Sequence, residues 1–388
     1  MENASLPSFF EFYIPTKIQF GCGLARDLSE TLAHYGSKIF LITDQNLVKF
    51  GLIEPILKSL RSSLEVVGIF DQVPPNSEIH TVQSAYQEIA KTEPDLLLAI
   101  GGGSVMDTAK AANILKTKGG EILDYQGVGI LEDPLGPLIC IPTTAGTGSE
   151  VTKYAVIKDQ ASKQKILFMS PTLCPNLAIL DPELLVSLPK GMTAASGMDA
   201  LTHAIEGIVA LQGNFITDAV AFQAIRLVHR HLEACIREPS NLEHRSGMLI
   251  ASTLGGMAFN DAGVGVIHAM AHALGGHSHI PHGTANSIML PFGIELNRKN
   301  VTEKYVHIAE IFGIREKDPE SAVDQLIDSV RGLAKRCGLP TTLKGAGLVS
   351  QDFSTLAEEA ICDGSMYTNP KEATSEDLQK MYELAYDE

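Results

Sequence analysis

The sequence predicts an α/β domain built on a mostly parallel sheet, followed by an all-α domain. Two observations carry this expectation. In the first half, short and almost wholly apolar runs alternate with amphipathic stretches. That is the pattern of strands buried on both faces between crossover helices. Past Pro182 the β signal fades, and long Ala-rich amphipathic stretches run on to the C-terminus. The boundary is placed at 184–188, dividing the chain into residues 1–185 and 186–388.

Residues 12–20 alternate and are rich in β formers, which predicts an early strand ended by Gly21 and Gly23. A helix is expected over 25–35, then a buried parallel strand over 38–43 that ends in Asp44. Helix over 53–62, strand over 64–70 and helix over 77–91 follow. Pro94 opens a third buried strand, 96–100, which runs straight into Gly101, Gly102, Gly103 and Ser104. Helix over 105–116 and a fourth strand over 137–141 come next. Residues 154–157 and 165–169 read as a hairpin, and 177–180 as a last strand.

Bulk properties exclude several classes. The 388 residues allow about two or three domains with a large core. The formal charge of −16 argues against nucleic acid or an anionic membrane as partner. No run of 18 apolar residues is present, so no membrane span is expected. The first 12 residues have no basic stretch leading into an apolar one, so no signal peptide is read. Six scattered Cys without a CxxC suit reduced thiols in a cytoplasm.

Strand, Gly101, Gly102, Gly103, Ser104 and helix form a phosphate-binding arrangement. Glycine lets backbone approach a pyrophosphate, and the helix N-terminus supplies free N–H groups. Alone it is equally a tight turn. A second Gly/Thr-rich loop, 143–149, follows the fourth strand at the same expected sheet edge. Two such loops together predict a dinucleotide cradle. Asp44 lies beyond the carboxyl end of its strand, where it can bond ribose hydroxyls and repel a 2′-phosphate. That favours NAD over NADP. A helix cap explains Asp44 equally well. Asp107, in the first turn after the glycine loop, is at most adjacent to the cofactor.

The second half carries a different chemistry. Asp199 and His203 are four apart, as are His268 and His272, so each pair shares a helix face. His282 sits between Pro281 and Gly283, at a loop or helix start. Each alone has a bland explanation as a core residue or a cap. Together, burying so many ionisable groups without a partner would be unfavourable. They predict a divalent metal of the iron or zinc kind.

Taken together, Gly101 to Ser104, Thr143 to Glu150, Gly197 to His203, and His268 to His272 with Pro281, His282 and Gly283 resemble the iron-containing (group III) alcohol dehydrogenases. The resemblance spans nearly the whole chain. It implies a dinucleotide-binding α/β domain followed by an all-helical metal domain, a fold shared with dehydroquinate synthase and glycerol dehydrogenase. It implies Asp199, His203, His268 and His282 as metal ligands and His272 as the active-site histidine. Further cofactor contacts are implied at Thr143, Thr144, Thr147, Ser149 and Lys165, and substrate contacts at Tyr154 and Phe259. His277 and His279 occupy positions that the motif does not fix. Iron is implied over zinc, as is a dimer in which N-terminal strands pair across subunits; pairing of that strand within its own domain is the alternative.

The activity expected is hydride transfer between a primary alcohol or aldehyde and NAD(H). A zinc-dependent polyol (glycerol-type) dehydrogenase is the alternative on this fold, as is a metal-dependent lyase. A lyase of this kind needs Lys and Arg at its metal. Between 191 and 282 only Arg226, Arg230, Arg237 and Arg245 occur, in sequence that reads as solvated helix faces. A metal or nucleotide binder without catalysis would leave the pairing of both motifs unexplained.

Overall fold

A computed structural model of the chain describes residues 9–387 apart from 163, 350 and 351. Nine strands form two sheets: β1 (Lys17–Phe20), β2 (Lys38–Ile42), β3 (Glu65–Phe70), β4 (Leu96–Gly101), β5 (Gly127–Val128), β6 (Leu138–Pro142), β7 (Tyr154–Lys158), β8 (Lys165–Met169) and β9 (Leu177–Leu180). The main sheet runs β1-β9-β6-β4-β2-β3, and every pairing in it is parallel. The smaller runs β5-β8-β7, with β7 and β8 antiparallel as the hairpin reading expects.

Helices α1 (Ser29–Ala33), α2 (Gln45–Lys49), α3 (Ile53–Leu60), α4 (Ile79–Ala90) and α5 (Gly103–Lys118) connect the strands. From Lys190 onward the described elements are all helical: α6 (Lys190–Val209), α7 (Phe215–Arg237), α8 (Leu242–Ala262), α9 (Val266–His277), α10 (His282–Asn297), α11 (Thr302–Ile311), α12 (Pro319–Arg336), α13 (Phe353–Ile361) and α14 (Ser375–Asp387), with short 3-10 turns between some of them.

Burial on both faces is visible in β4. Leu96, Leu98 and Ile100 join one core while Leu97 and Ala99 join another across the sheet. The first core does not stop at the sheet. It continues through Met198, Leu201, Ile225 and Leu249 of the helical half, so one apolar cluster spans both parts of the chain.

Two expectations are corrected, and one alternative is realised. The first strand begins at Lys17 rather than at 12. Upstream, Pro15 has no N–H to give, and the Tyr13 N–H and carbonyl are taken by Asp261 and Asn260 of α8. That strand also has a partner within its own chain, since β1 pairs with β9 from Lys17↔Leu177 to Phe20↔Leu180. Only its outer edge lacks a partner among the described residues. Finally, Arg245 does not lie on a solvated face. It is 1% exposed, and its guanidinium donates to Pro239 O, Thr193 Oγ1 and Leu188 O. Arg226, Arg230 and Arg237 are exposed as expected.

Strand order fixes where a ligand would sit. From β2 the chain steps outward to β3 and then returns across β2 to β4. The switch point lies between β2 and β4, and ligands of such sheets bind outside the strand carboxyl ends there. Thr43 Oγ1 donates to Ile100 O at 2.8 Å across this point.

Candidate metal centre and cofactor cleft

Both glycine- and threonine-rich loops leave the sheet side by side, because β4 and β6 are neighbours. Thr143 N–H donates to Gly101 O. The loops then press together. A Cβ on Gly102 would lie 3.2 Å from Thr144 Oγ1, and one on Gly103 would lie 2.8 Å from Thr147 Cγ2. The second contact leaves no room for a side chain, so glycine there is a packing requirement. α5 starts at Gly103 with its first N–H groups facing the loop end, and Ser104 Oγ accepts from Asn76 N–H.

Asp44 is an N-cap. Its Oδ1 accepts from the N–H groups of Asn46 and Leu47, starting α2. The cap reading is therefore realised, with Oδ2 making no hydrogen bond among the described residues. Asp107 is also engaged. It accepts from Ser149 Oγ at 2.8 Å and from Val156 N–H at 3.1 Å. Lys110, fully buried, donates to Ser149 Oγ, Thr152 O, Thr152 Oγ1 and Tyr154 O. Burial pushes the Asp107 carboxyl up and the Lys110 ammonium down, and each charge opposes the other's shift. This buried pair locks the 149–154 segment onto α5. Lys110 is invisible in the sequence as anything but a helical lysine.

On the helical side, α6 presents Asp199, His203 and Glu206 at spacings of four and three, which puts all three on one face. α9 carries His268 and His272, and His282 is the first residue of α10, directly after Pro281. Gly283 permits this approach. A Cβ there would meet the Ala195 carbonyl oxygen at 2.2 Å and Asp199 Cβ at 3.2 Å. Any side chain would drive α10 away from α6.

One ligand atom each from Asp199, His268 and His282 lies within 4.8 Å of the others. His203 stands beside this group rather than in it. Its Nδ1 is 3.2 Å from Gly146 O and 3.9 Å from Asp199 Oδ2, and its ring stacks on His268 at 4.5 Å. With Nδ1–H donated to Gly146, Nε2 is the nitrogen left for a ligand role. The donor set fits a cation. Asn286 Nδ2, with two hydrogens, faces three acceptors: Asp199 Oδ1 at 2.7 Å, His268 Nε2 at 3.1 Å and His282 Nε2 at 3.2 Å. More lone pairs converge there than one amide can satisfy, and two imidazoles with a carboxylate suit a borderline divalent ion.

Protonation agrees with that. Burial pulls His203 down to about 4 and His282 well below its usual value, so both rings are neutral at pH 7. Neutral imidazole is the ligating form. Glu206 supports His268 from behind. Its Oε2 accepts from His268 Nδ1, while Oε1 accepts the Ile267 N–H at the start of α9. Such a carboxylate fixes the tautomer of a metal-binding histidine. Sequence reasoning passed over Glu206 and Asn286, although both follow a candidate ligand at helical spacing.

His272 packs against His282 with ring centroids 5.4 Å apart, and its Nδ1 bonds Asp363 Oδ2 at 3.0 Å. Lys165, at the start of β8, reaches towards α9: its Cε lies 3.3 Å from where a Gly275 Cβ would be. Burial lowers its ammonium to about 8, opposed by Asp199, Asp363 and Asp107. Tyr154, Phe259 and His203 stack in a row, at 5.9 and 4.3 Å between centroids. Thus Tyr154 and Phe259 form an aromatic row leading to His203, beside the group of Asp199, His268 and His282. His277 is paired with Glu359 at 2.9 Å.

Comparison with known proteins shows the family. The family model described as iron-containing alcohol dehydrogenase matches residues 15–182. The model of the C-terminal part of the Fe-containing alcohol dehydrogenase family matches residues 193–386. The chain is 36% identical to a 1,3-propanediol dehydrogenase of Klebsiella pneumoniae over 97% of its own length and 99% of the relative's. It is 36% identical to an NAD-dependent methanol dehydrogenase of Bacillus methanolicus, over 96% and 99%. Among solved structures, an alcohol dehydrogenase from Oenococcus oeni superposes with a TM-score of 0.94 at 36% identity, covering 97% of this chain and 100% of that one.

Proposed function

The chain belongs to the iron-containing alcohol dehydrogenase family, and from that premise we propose that it transfers hydride between a primary alcohol or aldehyde and NAD(H), with iron as its resident metal. One observation carries the reading. Gly146, inside the threonine-rich loop, accepts a hydrogen bond from His203 of the metal cluster, so the cofactor loop and the metal residues are in direct contact. The names of the relatives, a propanediol and a methanol dehydrogenase, support a short primary alcohol.

Asp199, His203, His268 and His282 would hold the metal. When bound, divalent iron supplies Lewis-acid polarisation of the substrate oxygen, and NAD supplies the hydride acceptor. The protein's own part is orientation and proton movement. Gly101, Gly102, Gly103 and Ser104, with Thr143, Thr144 and Thr147, cradle the pyrophosphate beside the α5 N-terminus. Ser149 and Asp107 act indirectly, holding that loop by the bond between them, with Lys110 donating to Ser149 as well. Lys165 brings a buried amine to the nicotinamide end. Tyr154 and Phe259 wall the substrate. His272 takes the alcohol proton at Nε2 and passes it outward. NADH oxidation with short aldehydes, in a metal-replete sample, tests the whole reading; no turnover with any aldehyde or ketone would sink it.

Iron is the metal we assign. Anaerobic Fe(II) is expected to restore the highest activity to stripped protein, and air to inactivate it. Elemental analysis and reconstitution check this, and zinc restoring equal or greater activity would reverse it.

NAD is preferred over NADP through Asp44, which follows β2 beside the switch point and whose Oδ2 makes no hydrogen bond among the described residues. Asp44→Gly is expected to raise kcat/KM with NADP relative to NAD. Gly is a tolerated N-cap, costing only about a few tenths of a kcal/mol, so folding is spared. A native enzyme that already prefers NADP would refute the assignment.

We read the chain as a cytoplasmic homodimer. No helix among the described residues is long and apolar enough to cross a membrane. The outer edge of β1 is flanked by exposed Phe9, Phe10, Tyr13, Ile18 and Phe20. Light scattering after deletion of residues 1–20 should show a monomer or aggregate; a well-behaved dimer would contradict it.

A further inference from the structure

All three histidines that α9 carries are bonded to a carboxylate from another segment. His268 meets Glu206 of α6, His272 meets Asp363, and His277 meets Glu359 of α13. Asp363 follows α13 and opens a 3-10 turn, 364–368, whose Ser365 N–H donates to Asp363 Oδ1 at 2.8 Å. The carboxylate is therefore held from its own side, with Oδ2 left to receive the His272 Nδ1–H at 3.0 Å. Further along, Thr368 Oγ1 donates to Val264 O, and Asn369 Oδ1 accepts the Val266 N–H at the start of α9. The segment is thus fixed at the start of α9 as well as at His272.

We propose that Asp363 is the positioning residue of the proton relay: it holds His272 with Nδ1 protonated, so that Nε2 is the ring nitrogen presented to the substrate. The inference rests on the relay role given to His272 above. A neutral imidazole has one donor and one acceptor nitrogen, and which is which is decided by the partner of the other. A carboxylate oxygen has only lone pairs to offer, so it accepts one arrangement and refuses its mirror. An alcohol proton then arrives at Nε2 while Nδ1–H stays bonded to Asp363. With the other tautomer Nε2 already carries hydrogen and cannot accept. Asp363 also holds the ring plane, together with the stacking against His282 and the edge contact with His268.

Asp363→Asn separates this role from a structural one. Asn has the same size and caps helices as well as Asp. A residue kept only for the turn would be replaced without loss. In the relay, however, the amide has one acceptor oxygen for two donors, Ser365 N–H and His272 Nδ1–H. With the oxygen on the cap, the NH2 group faces His272 and enforces the wrong tautomer. Asp363→Asn is therefore expected to lower kcat by about 10- to 100-fold, with KM for the alcohol, bound metal and thermal midpoint close to those of the parent. Glu359→Gln, which loosens the neighbouring His277 pair on the same segment, is expected to leave kcat within about twofold. In a His272→Ala background, Asp363→Asn should cost nothing further, because both changes remove one function.

Wild-type kcat in Asp363→Asn would overturn the proposal. So would an equal loss in Glu359→Gln, which would trace the effect to docking of the segment, or a full further loss in the double variant. If His272→Ala itself retains kcat, the relay reading fails and the proposal falls with it. If His272→Ala is slow and Asp363→Asn is not, only the role of Asp363 falls.

Discussion

Asp199→Ala is expected to remove metal and turnover together, with kcat reduced by at least about a thousandfold. Asp199 is the only carboxylate in the convergent group, and it is 2% exposed. Without it, the cation would be left to imidazoles that burial keeps neutral. A Lewis acid contributes several kcal/mol to stabilising charge on oxygen, and each ~1.4 kcal/mol is tenfold in rate. Metal content by elemental analysis and kcat on the same preparation form the check. A variant that keeps stoichiometric metal, or that loses stability but not turnover, would mean that Asp199 is structural.

His272→Ala should behave in the opposite way. Its Nδ1 is committed to Asp363, and it lies outside the group of Asp199, His268 and His282. Metal is therefore expected to stay near stoichiometric while kcat falls by about 10²- to 10⁴-fold, the usual worth of a positioned proton acceptor. Added imidazole is expected to recover part of the rate by filling the vacated space. Loss of metal in this variant would make His272 a ligand and refute the relay.

Much of this site is legible in the sequence because its residues obey helix periodicity. Asp199 and His203, and His268 and His272, are spaced so that one face must carry both. Pro281 and Gly283 mark the helix start that His282 occupies. The same rule was available for Glu206 and Asn286, yet a glutamate or asparagine in an Ala-rich helix also reads as an ordinary surface residue. Asp363 was out of reach. It lies 91 residues from His272, in a segment with no metal or nucleotide motif, and only tertiary packing joins them. Lys110 was hidden for a different reason, because its four acceptors are two backbone carbonyl and two hydroxyl oxygens, which carry no sequence signal. In the sheet, apolar runs located β2, β4, β6 and β9 closely. β5, two residues long, is too short to have a pattern. α2 is announced only by its cap, and a cap is what Asp44 also resembles when it is read as a ribose ligand.

The carboxylates behind the histidines have an electrical consequence. Around the metal residues, Asp199, Glu206 and Asp363 bring three formal negative charges, and Lys165 brings one positive. On this formal count these four groups carry an excess of two negative charges. A doubly charged cation offsets that excess, a monovalent one leaves half of it, and a trivalent one overshoots. In a water-poor interior an uncompensated charge is far more unfavourable than at the surface. On that count a divalent ion suits the site by charge as well as by ligand type, and a cation bound there would also hold α6, α9 and α10 together, so that metal-loaded protein should melt above the stripped form.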